Sequence, residues 1–86
     1  MTLNQIFGRY KENLPQIEVK GLSQNSKEIQ KDWVFFAVKG HTVDGHEYIP
    51  SALLKGACAV VTQEELEEVY PVPVIKVPNI DEAMAD

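Results

Sequence analysis

Apolar positions along the chain switch between the spacing of a helix and that of a strand. Leu3, Ile6, Phe7 and Tyr10 fall at i, i+3, i+4 and i+7, one face of an amphipathic first helix. Asn13 and Pro15 stop it. Ile17, Val19 and Leu22 then alternate with polar residues, which predicts a half-exposed strand running into Gly21–Ser26. From Trp33 to Val38 the apolar run is unbroken and rich in aromatic and β-branched residues, as expected of a strand covered on both faces. Ala57–Val61 and Val72–Val77 read the same way, the latter bounded by Pro71, Pro73 and Pro78.

Helical signals separate these runs. Asp44 and Glu47 have the D-x-x-E spacing of a capping pair, Pro50 fits the first turn of the helix beyond them, and Gly56 terminates it. Thr62 is placed to cap an acidic helix, Gln63–Val69, with Glu65 at its third position. Asn79 opens a last helical stretch that reaches Asp86 without a stop signal, so the chain reads as the leading part of a longer protein. Strands alternating with helical stretches indicate βαβ units with right-handed crossovers. The expected fold is α/β: a small, mainly parallel sheet with flanking helices.

Composition narrows what such a domain can do. Its 86 residues are 44% hydrophobic and 24% charged, which fits one small domain. A domain of this size buries about 60% of its unfolded surface, which leaves room for one ligand cleft. No 18-residue apolar run is present, and the N-terminal segment lacks the apolar core of a signal peptide. Cys58 is the single cysteine, which rules out an internal disulfide and a thiolate metal cluster. These features predict a cytoplasmic protein with no membrane partner. Residues 1–56 carry seven Lys/Arg and six Asp/Glu, whereas residues 57–86 carry one lysine and seven acids. No basic stripe arises from that distribution, so no nucleic-acid partner is expected.

Candidate chemistry concentrates where strands end. In a parallel sheet, ligands gather at the carboxyl edge. The turn Gly40-His41-Thr42-Val43 offers backbone N–H groups, an imidazole and a hydroxyl there. The earlier turn Ser23-Gln24-Asn25-Ser26-Lys27 offers hydroxyls, amides and an ammonium. Together they could grip a uracil or ribose through short polar side chains, and a diphosphate through lysine or backbone donors. No G-x-x-x-x-G-K-[ST] loop, G-x-G-x-x-G turn or paired-histidine zinc motif is present. His41 and His46 are five apart across a glycine, a poor arrangement for one metal ion, and no nucleophile is set beside them. No catalytic residue is assigned.

Three segments carry a family resemblance: S-Q-N-S-K (Ser23–Lys27), F-F-A-V-K-G-H-T-V-D-G-H-E-Y-I-P (Phe35–Pro50) and A-L-L-K-G-A-C-A-V-V (Ala52–Val61). They resemble the N-terminal, Rossmann-like domain of the bacterial Mur ligases over roughly residues 17–80. The resemblance is strongest to the MurE type, UDP-N-acetylmuramoyl-dipeptide ligase; the MurF type shares D-G-H but differs before it. It implies that residues 1–86 bind the UDP part of UDP-MurNAc-dipeptide, with ATP and Mg2+ used by other domains of the same chain. By position, Ser26 would bond the nucleotide and the main chain of Gln24 would line the uracil. His41, Thr42 and Val43 would form the second wall. The family usually has S-x-D-S-R where this chain has Asn25 and Lys27. Asn25 keeps the turn-forming geometry without the charge, and Lys27 keeps a cation without the fork of arginine.

Plainer readings stand beside these. Turn formation accounts equally well for Asn25 and Ser26, and His41 fits a solvated loop histidine. Asp44 reads as a helix cap, His46 and Tyr48 as packing or surface residues, and Trp33, Phe35 and Phe36 as core. A non-catalytic α/β interaction module would bind no nucleotide. A small enzyme built on His41, Asp44 and His46 would turn over substrate by itself.

Overall fold

A computed structural model of the chain describes residues 1–39, 44–66 and 68–80. Helix α1 (Leu3–Phe7) precedes strand β1 (Gly21–Ser23), and a 3-10 turn at Ser26–Glu28 leads to β2 (Trp33–Phe36). A second 3-10 turn, Gly45–Tyr48, runs into α2 (Ile49–Leu54), which is followed by β3 (Ala59–Thr62) and β4 (Val74–Lys76). All four strands are parallel and lie in sequence order, β1-β2-β3-β4. Same-handed crossovers between strands in that order must pass over one face, which leaves the other to α1.

The alternation of side chains across the sheet divides the core accordingly. Val34 and Phe36 of β2, Ala59 and Val61 of β3, and Ile75 of β4 pack with Leu3 and Phe7 of α1. Phe7 meets Phe36 edge to face, with ring centroids 6.2 Å apart. Phe35, Ala37 and Val60 point to the opposite face and pack against Ile29, Ile49 and Ala52. The unbroken apolar run at Trp33–Val38 is therefore explained by burial on both faces.

Local signals account for the element ends. Thr2 and Gln5 form a reciprocal capping box for α1. That helix is shorter than its apolar spacing predicts: Gly8 caps it, and Tyr10 N–H turns back to the Phe7 carbonyl at 2.9 Å. Ile17 and Val19 flank Glu18, which pairs antiparallel with Thr2 rather than joining β1. Pro50 sits in the first turn of α2, and Gly56 takes φ +106° just beyond its end, as a terminating glycine does.

The acidic helix expected at Gln63–Val69 is not formed: residues 63–66 and 68–69 are not helical. The cap bond itself is made, with Glu64 N–H donating to Thr62 Oγ1 at 3.0 Å. The acids beyond it oppose a helix. Glu64 and Glu68 would stand at i, i+4, and Glu65 and Glu68 at i, i+3, each like-charge pair costing about 0.2–0.5 kcal/mol. Instead Glu65 reaches Lys76 at 2.9 Å, while Leu66, Tyr70 and Val72 pack against the core.

Candidate functional site

The corner after β1 is built by its own side chains. Asn25 Oδ1 accepts the Lys27 N–H at 3.0 Å and caps the Ser26–Glu28 turn, so its turn-forming role is fulfilled without a charge. Ser23 Oγ accepts the Asn25 N–H at 2.9 Å and lies 3.1 Å from Glu28 Oε2. Ser23 and Asn25 are thus engaged internally. The side chains of Gln24, Ser26 and Lys27 bond to no other described residue.

The corner after β2 is held at its base. Lys39 pairs antiparallel with Asp44, and Gly45 N–H donates to the Val38 carbonyl at 2.8 Å. A Cβ at Gly45 would lie 2.7 Å from both Val38 N and Val38 O, so only glycine fits. Asp44 Oδ1 caps the next turn by accepting His46 N–H at 3.0 Å. That bond, reinforced by the His46 ring, holds the Asp44 carboxyl below the usual carboxylate range.

The two corners open onto one cavity of about 390 Å³ at the carboxyl edge, lined by Gln24, Asn25, Ser26, Lys27, Val38, Gly45 and Tyr48. Gln24 and Ser26 share its first wall. His41, Thr42 and Val43 lie outside the described residues; from the corner after β2, Val38 and Gly45 line the cavity. Lys27 is the only charged side chain among the described lining residues. Sequence reasoning left out Tyr48, which lies 42% exposed beside the cavity. Its place two residues before Pro50, where the turn meets the helix, was the available signal.

His46, which reads from the sequence as a packing or surface residue, is held on both ring nitrogens. Its Nδ1 lies 2.6 Å from Asp44 Oδ1 and its Nε2 2.7 Å from Thr62 Oγ1, sixteen residues away. The Asp-x-His spacing at a cap hints at the first bond, but nothing in the sequence marks the second. A neighbouring cavity of about 360 Å³ is lined by His46 together with Ala37, Val38, Lys39, Gln63, Glu64 and Ile80.

A family model described as "Mur ligase family, catalytic domain" matches residues 18–86. The chain belongs to the Mur ligase family. Two curated relatives carry the name UDP-N-acetylmuramoyl-L-alanyl-D-glutamate–2,6-diaminopimelate ligase. The one from Rickettsia prowazekii is 44% identical over 63 residues, covering 73% of this chain and 12% of the relative. The one from Rickettsia typhi is 42% identical over 82 residues, covering 95% of this chain and 15% of the relative. This Mur ligase chain therefore spans a small part of the length of those relatives. Among solved structures, MurF ligase from Thermotoga maritima in complex with ADP matches with a TM-score of 0.67 and 30% identity, covering 84% of this chain and 16% of that one. MurF from Acinetobacter baumannii superposes with a TM-score of 0.76 at 21% identity, over 95% of this chain and 18% of that one, a likeness of fold. No described helix is long and apolar enough to cross a membrane.

Proposed function

We propose that residues 1–86 form the substrate-binding N-terminal domain of a MurE-type ligase and hold the uridine-diphosphate part of UDP-MurNAc-L-Ala-D-Glu. The observation that carries this is the carboxyl-edge cavity where Gln24, Ser26 and Lys27, all without partners among the described residues, face the base of the corner after β2. Ser26 Oγ and the Gln24 main chain recognise the nucleoside, and the Lys27 ammonium answers the diphosphate charge. His41, Thr42 and Val43 complete the second wall.

The parent enzyme, in this reading, works in the cytoplasm and joins the third amino acid of the peptidoglycan stem to this substrate by an amide bond. The names of the two Rickettsia relatives favour 2,6-diaminopimelate as that amino acid. ATP and Mg2+ belong to the other domains. Among the described residues no three His, Cys, Asp or Glu side chains are grouped to hold a metal ion, and the sequence has no phosphate loop. A MurF-type parent is the second reading, favoured by the 30% identical Thermotoga structure. The relatives at 42% and 44% identity favour the first.

Titration of the 15N-labelled chain with UDP tests the cavity. Amide shifts are expected at Gln24–Lys27, Val38 and Gly45. Lys27→Ala should weaken UDP about tenfold, the worth of one charge-assisted hydrogen bond, and leave uridine binding unchanged. Absence of shifts at millimolar UDP refutes the assignment.

A further inference from the structure

Thr62 is fully buried, so its hydroxyl has to be satisfied from within. A carboxylate can only accept, so His46 Nδ1 carries a proton toward Asp44 Oδ1 at 2.6 Å. That leaves Nε2 as the acceptor for the Thr62 hydroxyl at 2.7 Å, while the Thr62 oxygen accepts Glu64 N–H at 3.0 Å. Asp44 Oδ1 thus accepts both the His46 backbone N–H and Nδ1–H, and Thr62 Oγ1 both donates to Nε2 and accepts from Glu64 N–H. The Glu64 carboxylate stands farther from Nε2, at 3.7 Å. The His46 side chain is only 13% exposed, which limits competition from water. Its bonds join two elements, since Asp44 belongs to the base of the corner after β2 and Thr62 ends β3.

The geometry points to His46 as a positioning residue: with Asp44 and Thr62 it latches the Asp44–Gly45 base of the corner after β2 to the end of β3. His46 is not among the residues lining the 390 Å³ cavity, so it acts on a ligand there only through the corner it fixes. The inference rests on the reading of that cavity as a uridine-diphosphate site. Asp44 alone could cap its turn without a histidine. The bond across to Thr62 ties that turn to the sheet, and so holds Gly45 in its place in the cavity lining.

The test compares variants that cut the latch with variants that keep it. Thr62→Val removes the hydroxyl at nearly constant volume, and Thr62→Ser restores it. An asparagine amide at position 46 reaches only the place of Nδ1, whereas glutamine reaches that of Nε2 and can still meet Thr62. UDP affinity is expected to fall about tenfold in Thr62→Val and His46→Asn, and to stay within about twofold in Thr62→Ser and His46→Gln. Long-range 1H–15N spectra of the parent chain should show the proton on Nδ1. A folded Thr62→Val that binds UDP like the parent chain overturns the latch, as does a proton found on Nε2. Hydrogen exchange separates this inference from the one beneath it. Without ligand, the Gly45 and His46 amides should exchange faster in Thr62→Val and at the parent rate in Thr62→Ser. Unchanged exchange in Thr62→Val sinks the latch, whereas a chain that ignores UDP but shows this pattern sinks only the cavity assignment.

Discussion

Gly45→Ala isolates the geometry on which the candidate site stands. The added methyl would meet Val38 N and Val38 O, each at 2.7 Å, and both are backbone atoms. Neither can swing aside as a flexible side chain could, so relief requires the Gly45–Val38 hydrogen bond of 2.8 Å to lengthen. Overpacking of this kind costs about 1–3 kcal/mol. Alanine also restricts the unfolded chain, which returns about 0.4–1 kcal/mol. The midpoints of those ranges leave a net loss of about 1.3 kcal/mol, which for a domain of this size lowers Tm by about 5–10 °C. Thermal unfolding followed by far-UV circular dichroism measures it directly. Because Gly45 also lines the cavity, the Val38 and Lys39 amides should shift in the folded variant. A Gly45→Ala chain that melts with the parent protein and keeps those resonances would refute the argument, since the corner would then have slack.

Phe36→Ala removes a fully buried ring and its edge-to-face contact with Phe7, at a cost of about 3–5 kcal/mol. A small domain has little more than that in reserve, so loss of the cooperative urea transition is expected; a transition moved only slightly would contradict the assigned core. The depressed Asp44 pKa sets a sign for acid stability. Its contribution is complete above the unfolded value near about 3.9 and is lost as pH falls through the lower folded value. Asp44→Asn should therefore flatten the acid limb of a Tm-versus-pH curve below about pH 4, and an unchanged limb would exclude the cap bond as its source. Burial pushes the Cys58 thiol above its ordinary pKa, with the Asp32 charge adding to the effect. Iodoacetamide should label Cys58 at neutral pH only as fast as the chain unfolds, and labelling at the rate of a free thiol would show that β3 opens locally.

Part of this protein was legible in one dimension because the forces involved act over a few residues. The apolar run at Trp33–Val38 could be satisfied only by cover on both faces, and the run at Ala57–Val61 demanded the same; both strands are there, β3 displaced by one or two residues. Pro50 and Gly56 set the ends of α2 through backbone constraints that need no partner elsewhere. The turn at Ser23–Lys27 likewise arises from hydroxyl and amide groups that reach their own backbone. Other features depend on residues brought together by the sheet. Like-charge crowding and the pull of Lys76 on Glu65 overrode the helical pattern at Gln63–Val69, and Lys76 becomes a neighbour only once β4 lies beside β3. The meeting of Gln24 and Ser26 with Val38 and Gly45 results from β1 pairing with β2 in parallel, which brings both carboxyl ends to one edge. His46 finds Thr62 because β2 pairs in parallel with β3, which brings the carboxyl ends of those two strands together. Capping, turn chemistry and strand composition are local quantities, whereas a cavity wall or a hydrogen bond across sixteen residues exists only after the register of the sheet is set.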